Sequence, residues 1–409
     1  KEICIAAGAE ALANLKGSKA ERVATRCASS ATMAAVARVA CSDRSVVVDP
    51  SAFDADIWKI NTPTGMIDLK TGMVLPHNPD AMMTKMTAAG ADFNHNPNDW
   101  LSFLHNSTGG DVELQAYLQR MSGYALTGST KEHTLIFLYG HGGNGKGTFL
   151  NALSHLMGDY ATVAPMDTFT ASKSDRHATE LAGLQGARLV TAQETQEGRQ
   201  FDEQKVKALT GGDDISARFM RQDFFTYTPQ FKLIISGNHR PEIQNLDDAM
   251  RRRINMVPFT RKPAVVDRDL PDKLKAEYGA ILAWAVKGCM EYLKWGLNPP
   301  SVVLEATEEY FDAEDYYKHW LEANCKVGEG LTERTDTLLK DCAAWCRERN
   351  IKPPNFKTFT PALETRGFVK YKDVQNRQSC FRGIALKNDF GDLDDLIQQK
   401  KVMPFKKAK

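Results

Sequence analysis

A glycine-rich segment carrying one lysine is the strongest chemical signal in the sequence. It reads GHGGNGKGT at residues 140–148, between an apolar run of strand length at 134–139 and a helical pattern at 147–156. This matches GxxxxGK, the P-loop pattern, in which the glycines turn backbone N–H groups toward phosphate and the lysine reaches the β- and γ-phosphates. We therefore predict that ATP is bound by Gly140, Gly142, Gly143, Asn144, Gly145, Lys146, Gly147 and Thr148.

The predicted Mg²⁺ ligands depart from the usual P-loop pattern at two positions. The residue after the lysine, normally Ser or Thr, is Gly147, so the metal contact falls to Thr148 or to a water molecule. A second apolar run ends in Gln193 and Glu194, and we predict that Glu194 holds Mg²⁺ and polarises the attacking water. A typical paired-acid site would carry a carboxylate at position 193 as well. Glu197 could be a second acid, although a solvent-facing turn is its more ordinary interpretation.

Two further positions are predicted to act on the γ-phosphate. Asn238 follows the apolar run 232–236, and its neutral amide can both donate to and accept from a lytic water. The alternative is an asparagine that caps the turn before a proline. Three consecutive arginines precede the apolar strand 254–258; such a run is usually a solvated face, but an arginine there can also reach a neighbouring subunit's nucleotide. We expect Arg253, and after it Arg252, to do so.

A hairpin is predicted between residues 215 and 227, where two β-like runs flank a short polar turn at 220–222. Arg218 and Arg221, with Phe219 nearby, would present cations and a stacking ring to single-stranded DNA. An ordinary surface hairpin is the alternative. Lys207, in the preceding segment, is a third predicted DNA contact.

The C-terminal part of the chain is basic. Residues 331–409 contain 17 Lys and Arg against 10 Asp and Glu, which leaves about −6 on the remainder of a chain of net charge +1. Helices at 335–347 and 356–365 followed by strands at 368–371 and 380–386 predict a winged helix. It would bind duplex DNA or, alternatively, a partner protein. The candidate contacts are Lys357, Lys370, Lys372, Arg377 and Arg382.

The elements that must position these residues indicate an α/β protein. Short, wholly apolar strands separated by helices predict a mainly parallel sheet covered on both faces. The chain of 409 residues is long enough for two or three domains. We expect a helical segment at 1–50, a small α+β collar at 51–125, the ATPase core at 126–300, a linker and winged-helix-like domain at 301–388, and a charged tail at 389–409.

The apolar runs, the cysteines and the first residues of the chain indicate where the protein is found in the cell. No apolar run approaches the roughly 20 residues of a membrane span, so we expect a cytosolic protein of a bacterial host or virus-infected cell. The eight cysteines form no CxxC pair, which favours reduced thiols over a structural metal. Because the chain begins at Lys1 without a signal-peptide pattern, we interpret it as a fragment of a longer polypeptide.

Taken in order, these motifs resemble the superfamily 3 helicase module of phage and plasmid primase-helicases, which are related to the poxvirus primase-helicase. The resemblance rests on GHGGNGKGTFL, ARLVTAQETQEG, KALTGGDDISARFMRQ, FKLIISGNHRP and RRRINMVPF. It extends through TGMIDLKTG and GYALTG upstream and AEYGAILAWA downstream, and covers residues 55–300 with specific motifs.

The resemblance implies an AAA+-like core, a homo-hexameric ring, and ATP- and Mg²⁺-driven translocation along single-stranded DNA, usually 3′-to-5′, at a fork. It also implies a primase domain upstream or a polymerase partner, and replication of a phage, plasmid or virus. By motif, Lys146 is the phosphate lysine, Glu194 the Walker-B acid, Asn238 the sensor, Arg253 or Arg252 the finger, and Arg221 lies near the DNA-gripping tip.

Two other functions fit parts of the sequence. A P-loop ATPase that does not unwind DNA, such as a packaging motor or regulatory switch, would leave the hairpin arginines without a purpose. A DNA-binding origin-recognition or loader module with a degenerate ATPase would explain Gly147 and Gln193. Against it stand four intact residues, Lys146, Glu194, Asn238 and Arg253.

Overall fold

The structure is a computed structural model that describes residues 1–43, 47–171, 178–194, 198–243, 247–263, 265–349, 351, 353–373 and 378–387. The first 40 residues form three helices, α1 (Glu2–Asn14), α2 (Ser18–Cys27) and α3 (Ser30–Ala40). The predicted helical segment is therefore confirmed, but it is interrupted at Gly17, whose φ of +64° an L side chain rarely adopts. Few of its side chains are buried.

The collar, residues 51–125, combines a small antiparallel sheet with two helices. Its elements are β1 (Lys59–Thr62), β2 (Gly65–Asp68), β3 (Val74–Leu75), α4 (Asn98–Thr108) and α5 (Val112–Leu126). Asp111 caps α5 by accepting the backbone N–H of Leu114 at 2.9 Å. The buried face of α5 packs along a long helix of the core, where Gly123 and Gly288 allow close backbone contact.

The next part of the chain alternates strands and helices, as its apolar runs predicted. Its elements in order are β4 (Leu135–Tyr139), α6 (Lys146–Met157), β5 (Ala161–Val163), α7 (Ala178–Ala182), β6 (Leu189–Glu194), α8 (Glu203–Gly211), β7 (Ile215–Ala217), β8 (Phe225–Tyr227), β9 (Lys232–Gly237), α9 (Asp248–Arg251), β10 (Ile254–Pro258), α10 (Leu270–Ala276) and α11 (Tyr278–Trp295). The helix predicted at 274–293 divides at Glu277, whose carboxylate accepts the backbone N–H groups of Asp99 and Trp100 at the start of α4.

Five of these strands form a parallel sheet in the order β10-β4-β9-β6-β5. Successive residues of β4 enter opposite cores: Ile136 and Leu138 belong to one apolar cluster, and Leu135 and Phe137 to the other. Both faces of the sheet are therefore covered, as an all-apolar strand requires. The carboxyl ends of β4, β9 and β6 lie side by side at one edge of the sheet, which we call the carboxyl edge.

Two buried cations join the opposite, amino edge of the sheet to the segment that leaves the collar. Arg188 donates to the carbonyls of Leu126 (2.7 Å) and Asp56 (3.1 Å). Lys232 donates to the carbonyl of Thr127 and, at 3.1 Å, to that of Gln230. Burial lowers the pKa of both groups, that of Lys232 well below its ordinary value.

The last described part is a small α+β module. Its elements are α12 (Ser301–Glu314), α13 (Tyr316–Asn324), β11 (Cys325–Arg334), α14 (Thr335–Glu348), α15 (Phe356–Thr365), β12 (Val369–Lys372) and β13 (Ser379–Leu386), and the three strands form an antiparallel sheet in the order β11-β13-β12. The helix predicted at 302–323 is divided by Asp315, which caps α13 and pairs with Arg366 at 2.5 Å. Strand β11 was not predicted.

The mixed α/β class, the parallel sheet, the helical N-terminal region and the small C-terminal sheet are thus confirmed. The residue boundaries of the five predicted domains stay predictions, and the predicted tail lies outside the described residues. No helix in the described part of the chain combines the length and the apolarity that crossing a membrane would need.

Candidate nucleotide-binding site and nucleic-acid hairpin

The P-loop turns between the carboxyl end of β4 and the first residue of α6. Gly143 and Gly145 have φ values of +77° and +91°, which glycine adopts at no steric cost. A Cβ on Gly145 would lie 2.7 Å from the Ser107 hydroxyl of α4, so the collar packs directly against the loop. Helix α6 begins at Lys146, and its free N–H groups and partial positive charge therefore face the loop.

Lys146 is buried and its ammonium lies among oxygen atoms. It donates to the carbonyls of Gly140 (2.6 Å) and His141 (3.3 Å), and to the side-chain oxygens of Asn144 (3.1 Å) and Asn238 (3.2 Å). Desolvation lowers the pKa of this lysine, because burial disfavours its charged form. The contact with Asn238 joins the P-loop to the end of β9, two motifs that the sequence separates by 92 residues.

A cleft of about 310 Å³ opens at this junction on the carboxyl edge. Ligands of open α/β sheets characteristically bind at this edge. The residues that line the cleft come from the P-loop, β6 and β9: Gly142, Gly143, Asn144, Gly145, Lys146, Gly147, Thr148, Gln193, Ser236, Gly237 and Asn238. The structure therefore brings together most of the residues predicted to bind ATP.

The predicted Mg²⁺ ligands lie at the same edge as far as they are described. Thr148 and Gln193 line the cleft, and Glu194 is the last residue of β6, in register with Gly237 of β9. The side chain of Glu194 and the whole of Glu197 lie outside the described residues. Within the described chain, no group of three or more His, Cys, Asp or Glu could hold a metal by itself.

This sparse donor set fits Mg²⁺, which binds through one or two protein oxygens and completes its shell with phosphate oxygens and water. A Cβ on Gly147 would meet no atom within 4 Å. The missing hydroxyl at this position is therefore not explained by lack of space.

The predicted finger arginines lie at the amino edge of the sheet, just before β10. Ile254 of β10 pairs with Leu135 at the start of β4, whereas the P-loop follows Tyr139 at the end of β4. A strand of five residues spans roughly 16 Å, so neither arginine can reach the P-loop of its own chain. Arg253 is half-buried and donates to the Ala249 carbonyl at 2.8 Å. Arg252 is exposed.

The predicted hairpin is present, with Ala217 of β7 paired to Phe225 of β8. Its base is anchored because Ala217 is fully buried and the Tyr227 hydroxyl donates to the Leu181 carbonyl at 2.6 Å. Every residue from 218 to 224 is exposed. The guanidinium of Arg218 lies 4.6 Å from the centre of the Phe224 ring.

The tip also carries Arg221, which has a φ of +61°, and two further exposed apolar side chains. The exposed fractions are 41% for Phe219, 76% for Met220 and 60% for Phe224. Aromatic rings supported by cations and open to solvent suit stacking with unpaired bases. Sequence reasoning found Phe219 but missed Phe224, which lies within the same aromatic-rich segment.

The other residues predicted to contact DNA are less available for binding than the arginines of the hairpin tip. Lys207 on α8 forms an ion pair with Asp247, so its charge is already partly neutralised. Lys370 folds over the Phe356 ring at 5.1 Å, and Lys372 is exposed. Arg377 lies outside the described residues. These four remain predictions.

Sequence reasoning also missed Arg240, which lies next to the cleft. Its guanidinium lies 4.3 Å from the centre of the Tyr139 ring, at the end of β4 just before the P-loop. Its position two residues after Asn238 could have drawn attention to it.

Two family models match the chain. Residues 2–109 match the family described as "D5 N terminal like", and residues 138–253 match a family of unknown function, DUF5906. The first covers α1 to α4, and the second covers the sheet from β4 to the arginines before β10.

Curated relatives come from large DNA viruses and are named putative helicases. A protein of Acanthamoeba polyphaga mimivirus is 25% identical over 87% of this chain and 40% of its own length. One of Frog virus 3 is 26% identical over 62% of this chain and 29% of its own length. One of Invertebrate iridescent virus 6 is 29% identical over 40% of this chain and 18% of its own length. The chain thus spans less than half the length of these relatives.

Among solved structures, the apo form of the NrS-1 C-terminal region is similar, at 11% identity and a TM-score of 0.43 over 72% of this chain and 77% of that one. The two matched models and the viral relatives agree with the motifs gathered at the carboxyl edge, and the chain is similar to D5-like viral proteins that are named putative helicases.

Proposed function

We propose that this chain is the motor module of an ATP-dependent DNA helicase that acts in the replication of a virus, phage or plasmid. The observation that carries the proposal is the contact between Lys146 and Asn238 at the carboxyl edge, which joins the phosphate lysine to a strand-end amide across the cleft. A regulatory protein with a degenerate site would not need to preserve this pair. The names of the viral relatives support the same activity.

In this proposal each residue has a defined task. Lys146 exchanges its contacts with the loop carbonyls and Asn238 for the β- and γ-phosphates, and the N–H groups of the P-loop and α6 offset the remaining phosphate charge. Asn238 orients the water that attacks the γ-phosphate, because its amide oxygen can accept a hydrogen bond and its NH₂ group can donate one. Glu194 and Thr148 hold Mg²⁺, which offsets the charge of the phosphates.

The arginines before β10 support a ring of identical subunits. Because Arg252 and Arg253 lie at the edge opposite their own P-loop, they can contribute to catalysis only at the site of a neighbour. A head-to-tail contact of this kind closes into a ring when the rotation fits. We propose a hexameric, AAA+-like assembly, and the exposure of Arg252 favours it over Arg253 as the residue that crosses the interface.

The hairpin supports DNA as the partner. Its tip offers Arg218, Arg221 and three exposed apolar side chains, which would grip single-stranded DNA by charge and stacking. Movement of the tip with each round of hydrolysis would translocate the strand, which we propose to run 3′-to-5′ and to open a fork. A primase domain or polymerase partner would lie outside the residues described.

The C-terminal module supports a winged helix. Its chain order of helix, strand, two helices and two strands, with the first strand beside the last, is the arrangement that a winged helix requires. We propose residues 301–388 as a separate binding domain. Its exposed Lys372 and Arg382 favour DNA as the ligand.

The proposal is tested by ATP turnover with and without single-stranded DNA, together with the particle mass and strand displacement on a forked duplex. We expect turnover that DNA stimulates, a particle of six subunits with a non-hydrolysable ATP analogue, and displacement of one strand. Turnover without displacement would favour a packaging or loading ATPase that binds DNA without unwinding it. Absence of turnover in the assembled particle would contradict the proposal.

A further inference from the structure

The side chain of Asn144 joins two parts of the site that lie 115 residues apart in the sequence. Its Nδ2 donates to the backbone carbonyl of Phe259, immediately after β10, and its Oδ1 accepts from Lys146 Nζ at 3.1 Å. Only 2% of Asn144 is exposed. A buried amide that satisfies both a carbonyl and an ammonium has little freedom to move.

The Phe259 carbonyl is a fixed acceptor. The backbone N–H of Phe259 donates to the Tyr139 carbonyl at 2.8 Å, and its fully buried ring lies 5.8 Å from the ring of Phe149 in α6. Asn144 is therefore held from the side of β10. The P-loop is tied to that strand as well as to β4.

The contact also fixes which way the amide faces. If the two amide atoms were exchanged, the oxygen would face the Phe259 carbonyl and the NH₂ group would face the Lys146 ammonium, so that both contacts would become repulsive. Because the Asn144 NH₂ group donates to the Phe259 carbonyl, the Asn144 side-chain oxygen must point to Lys146. The orientation of the lysine follows from that of the asparagine.

Gly140 provides the room for this arrangement. A Cβ on Gly140 would lie 2.0 Å from the Phe259 carbonyl oxygen and 2.3 Å from Asn144 Nδ2. By contrast, a Cβ on Gly142 would meet no atom within 4 Å. The first glycine of the motif is therefore required by the Asn144 contact, in addition to any contact with phosphate.

The remaining acceptors of Lys146 are less suited to hold it. The carbonyls of Gly140 and His141 belong to the main chain of the loop itself, and Asn238 lies across the cleft, where the nucleotide must enter. Asn144 is the acceptor that is both inside the loop and anchored outside it. It can keep its contact when the others are exchanged for phosphate.

We propose that Asn144 is a positioning residue, which holds the Lys146 ammonium in line for the phosphates by anchoring it to the end of β10. This inference rests on the proposed ATP turnover. Loss of the anchor leaves Lys146 in the cleft with its charge but without a fixed direction. We then expect the affinity for nucleotide to fall less than the rate of the chemical step. The transition state depends more strongly than the bound ground state on the exact position of the lysine ammonium.

The test compares the wild-type chain with Asn144→Ala in steady-state ATP turnover, ADP binding and thermal unfolding. We expect kcat to fall about 10- to 100-fold. KM for ATP and Kd for ADP should change by no more than about threefold, which is the signature of a lost transition-state contact. Asn151→Ala is the matched control, since Asn151 is an exposed asparagine on α6, the helix that follows the P-loop, and does not line the cleft. Its kcat should equal that of the wild type.

Asn144→Asp keeps the shape of the side chain if the alanine variant does not fold. Its carboxylate can accept from Lys146 but cannot donate to the Phe259 carbonyl, so we expect a lower kcat here too. A wild-type kcat in both variants would overturn the inference. The inference would also be overturned if kcat stayed unchanged while kcat/KM and the affinity for ADP fell by the same factor. That pattern would mean that Asn144 contributes to nucleotide binding and not to the chemical step. A wild-type chain without turnover would overturn the proposed function and this inference together.

Discussion

At the scale of single residues, the site depends on one buried lysine. Among the described residues its ammonium contacts four neutral oxygen acceptors, which phosphate oxygens can replace. The lysine and its glycines could be predicted from the sequence because the P-loop is a local pattern. The Asn144–Phe259 contact could not be predicted, since it depends on how β10 lies beside β4.

We predict that Lys146→Ala removes ATP turnover while the fold persists. Without the ammonium, no side chain in the described cleft replaces its charge at the γ-phosphate, and a loss of at least about 100-fold is expected. Phosphate release measures ATP turnover, and a melting curve followed by circular dichroism shows whether the fold persists. Lys131→Ala, at an exposed lysine before β4, serves as the control and should retain activity. Turnover at the wild-type rate in Lys146→Ala would reject the site.

At the scale of elements, local pattern predicted the hairpin and four of the five strands of the parallel sheet. It missed the short, largely exposed β5, which is held by its pairing with β6. Strand β11 escaped prediction because its sequence, CKVGEGLTER, is polar and glycine-containing, and it is held by its pairing with β13. The helix breaks at Glu277 and Asp315 escaped for a similar reason. Each carboxylate caps another helix or forms an ion pair, which no helical periodicity reveals.

The hairpin gives a prediction at this scale. Phe224→Ala should weaken the binding of a single-stranded oligonucleotide by about 1–3 kcal/mol, because one stacking ring and the support of Arg218 are lost together. Fluorescence anisotropy at fixed salt concentration measures the dissociation constant. Val163→Ala removes another exposed apolar side chain, from β5 and away from the hairpin, and oligonucleotide binding by this variant should stay unchanged. An unaltered dissociation constant for Phe224→Ala would assign the tip another role.

At the scale of the whole molecule, the sheet separates the two halves of the proposed composite active site. The P-loop lies at the carboxyl edge of the sheet, and the proposed finger arginines lie at the amino edge. A single chain therefore carries the P-loop half of one site at one end of its strands and the arginine half of another site at the opposite end. Catalysis by the proposed mechanism needs at least two copies in head-to-tail contact.

This geometry predicts that two inactive variants restore each other. Arg252→Ala should lower turnover strongly when it is the only species present, as should Lys146→Ala. In an equal mixture, about a quarter of the interfaces combine an intact P-loop with an intact arginine, so part of the activity should return.

The measurement is ATP turnover after the two variants are assembled together. The same mixing experiment with Arg253→Ala identifies which arginine crosses the interface. The variant that lacks the crossing arginine should lose turnover alone and regain part of it when mixed with Lys146→Ala. If neither mixture exceeds its separate components, hydrolysis does not use an arginine supplied by a neighbour.

The buried cations at the amino edge have a consequence for how the chain can be divided. Arg188 and Lys232 belong to the ATPase sheet, but the carbonyls that satisfy them belong in part to Asp56 and to the segment 126–129 that leaves the collar. A core cut away from its collar would lose these carbonyl acceptors and would open to water two side chains that are only 1% and 2% exposed in the intact chain. Contacts of buried polar groups therefore cross the predicted boundary near residue 125, and a chain divided there should be less stable than the intact one.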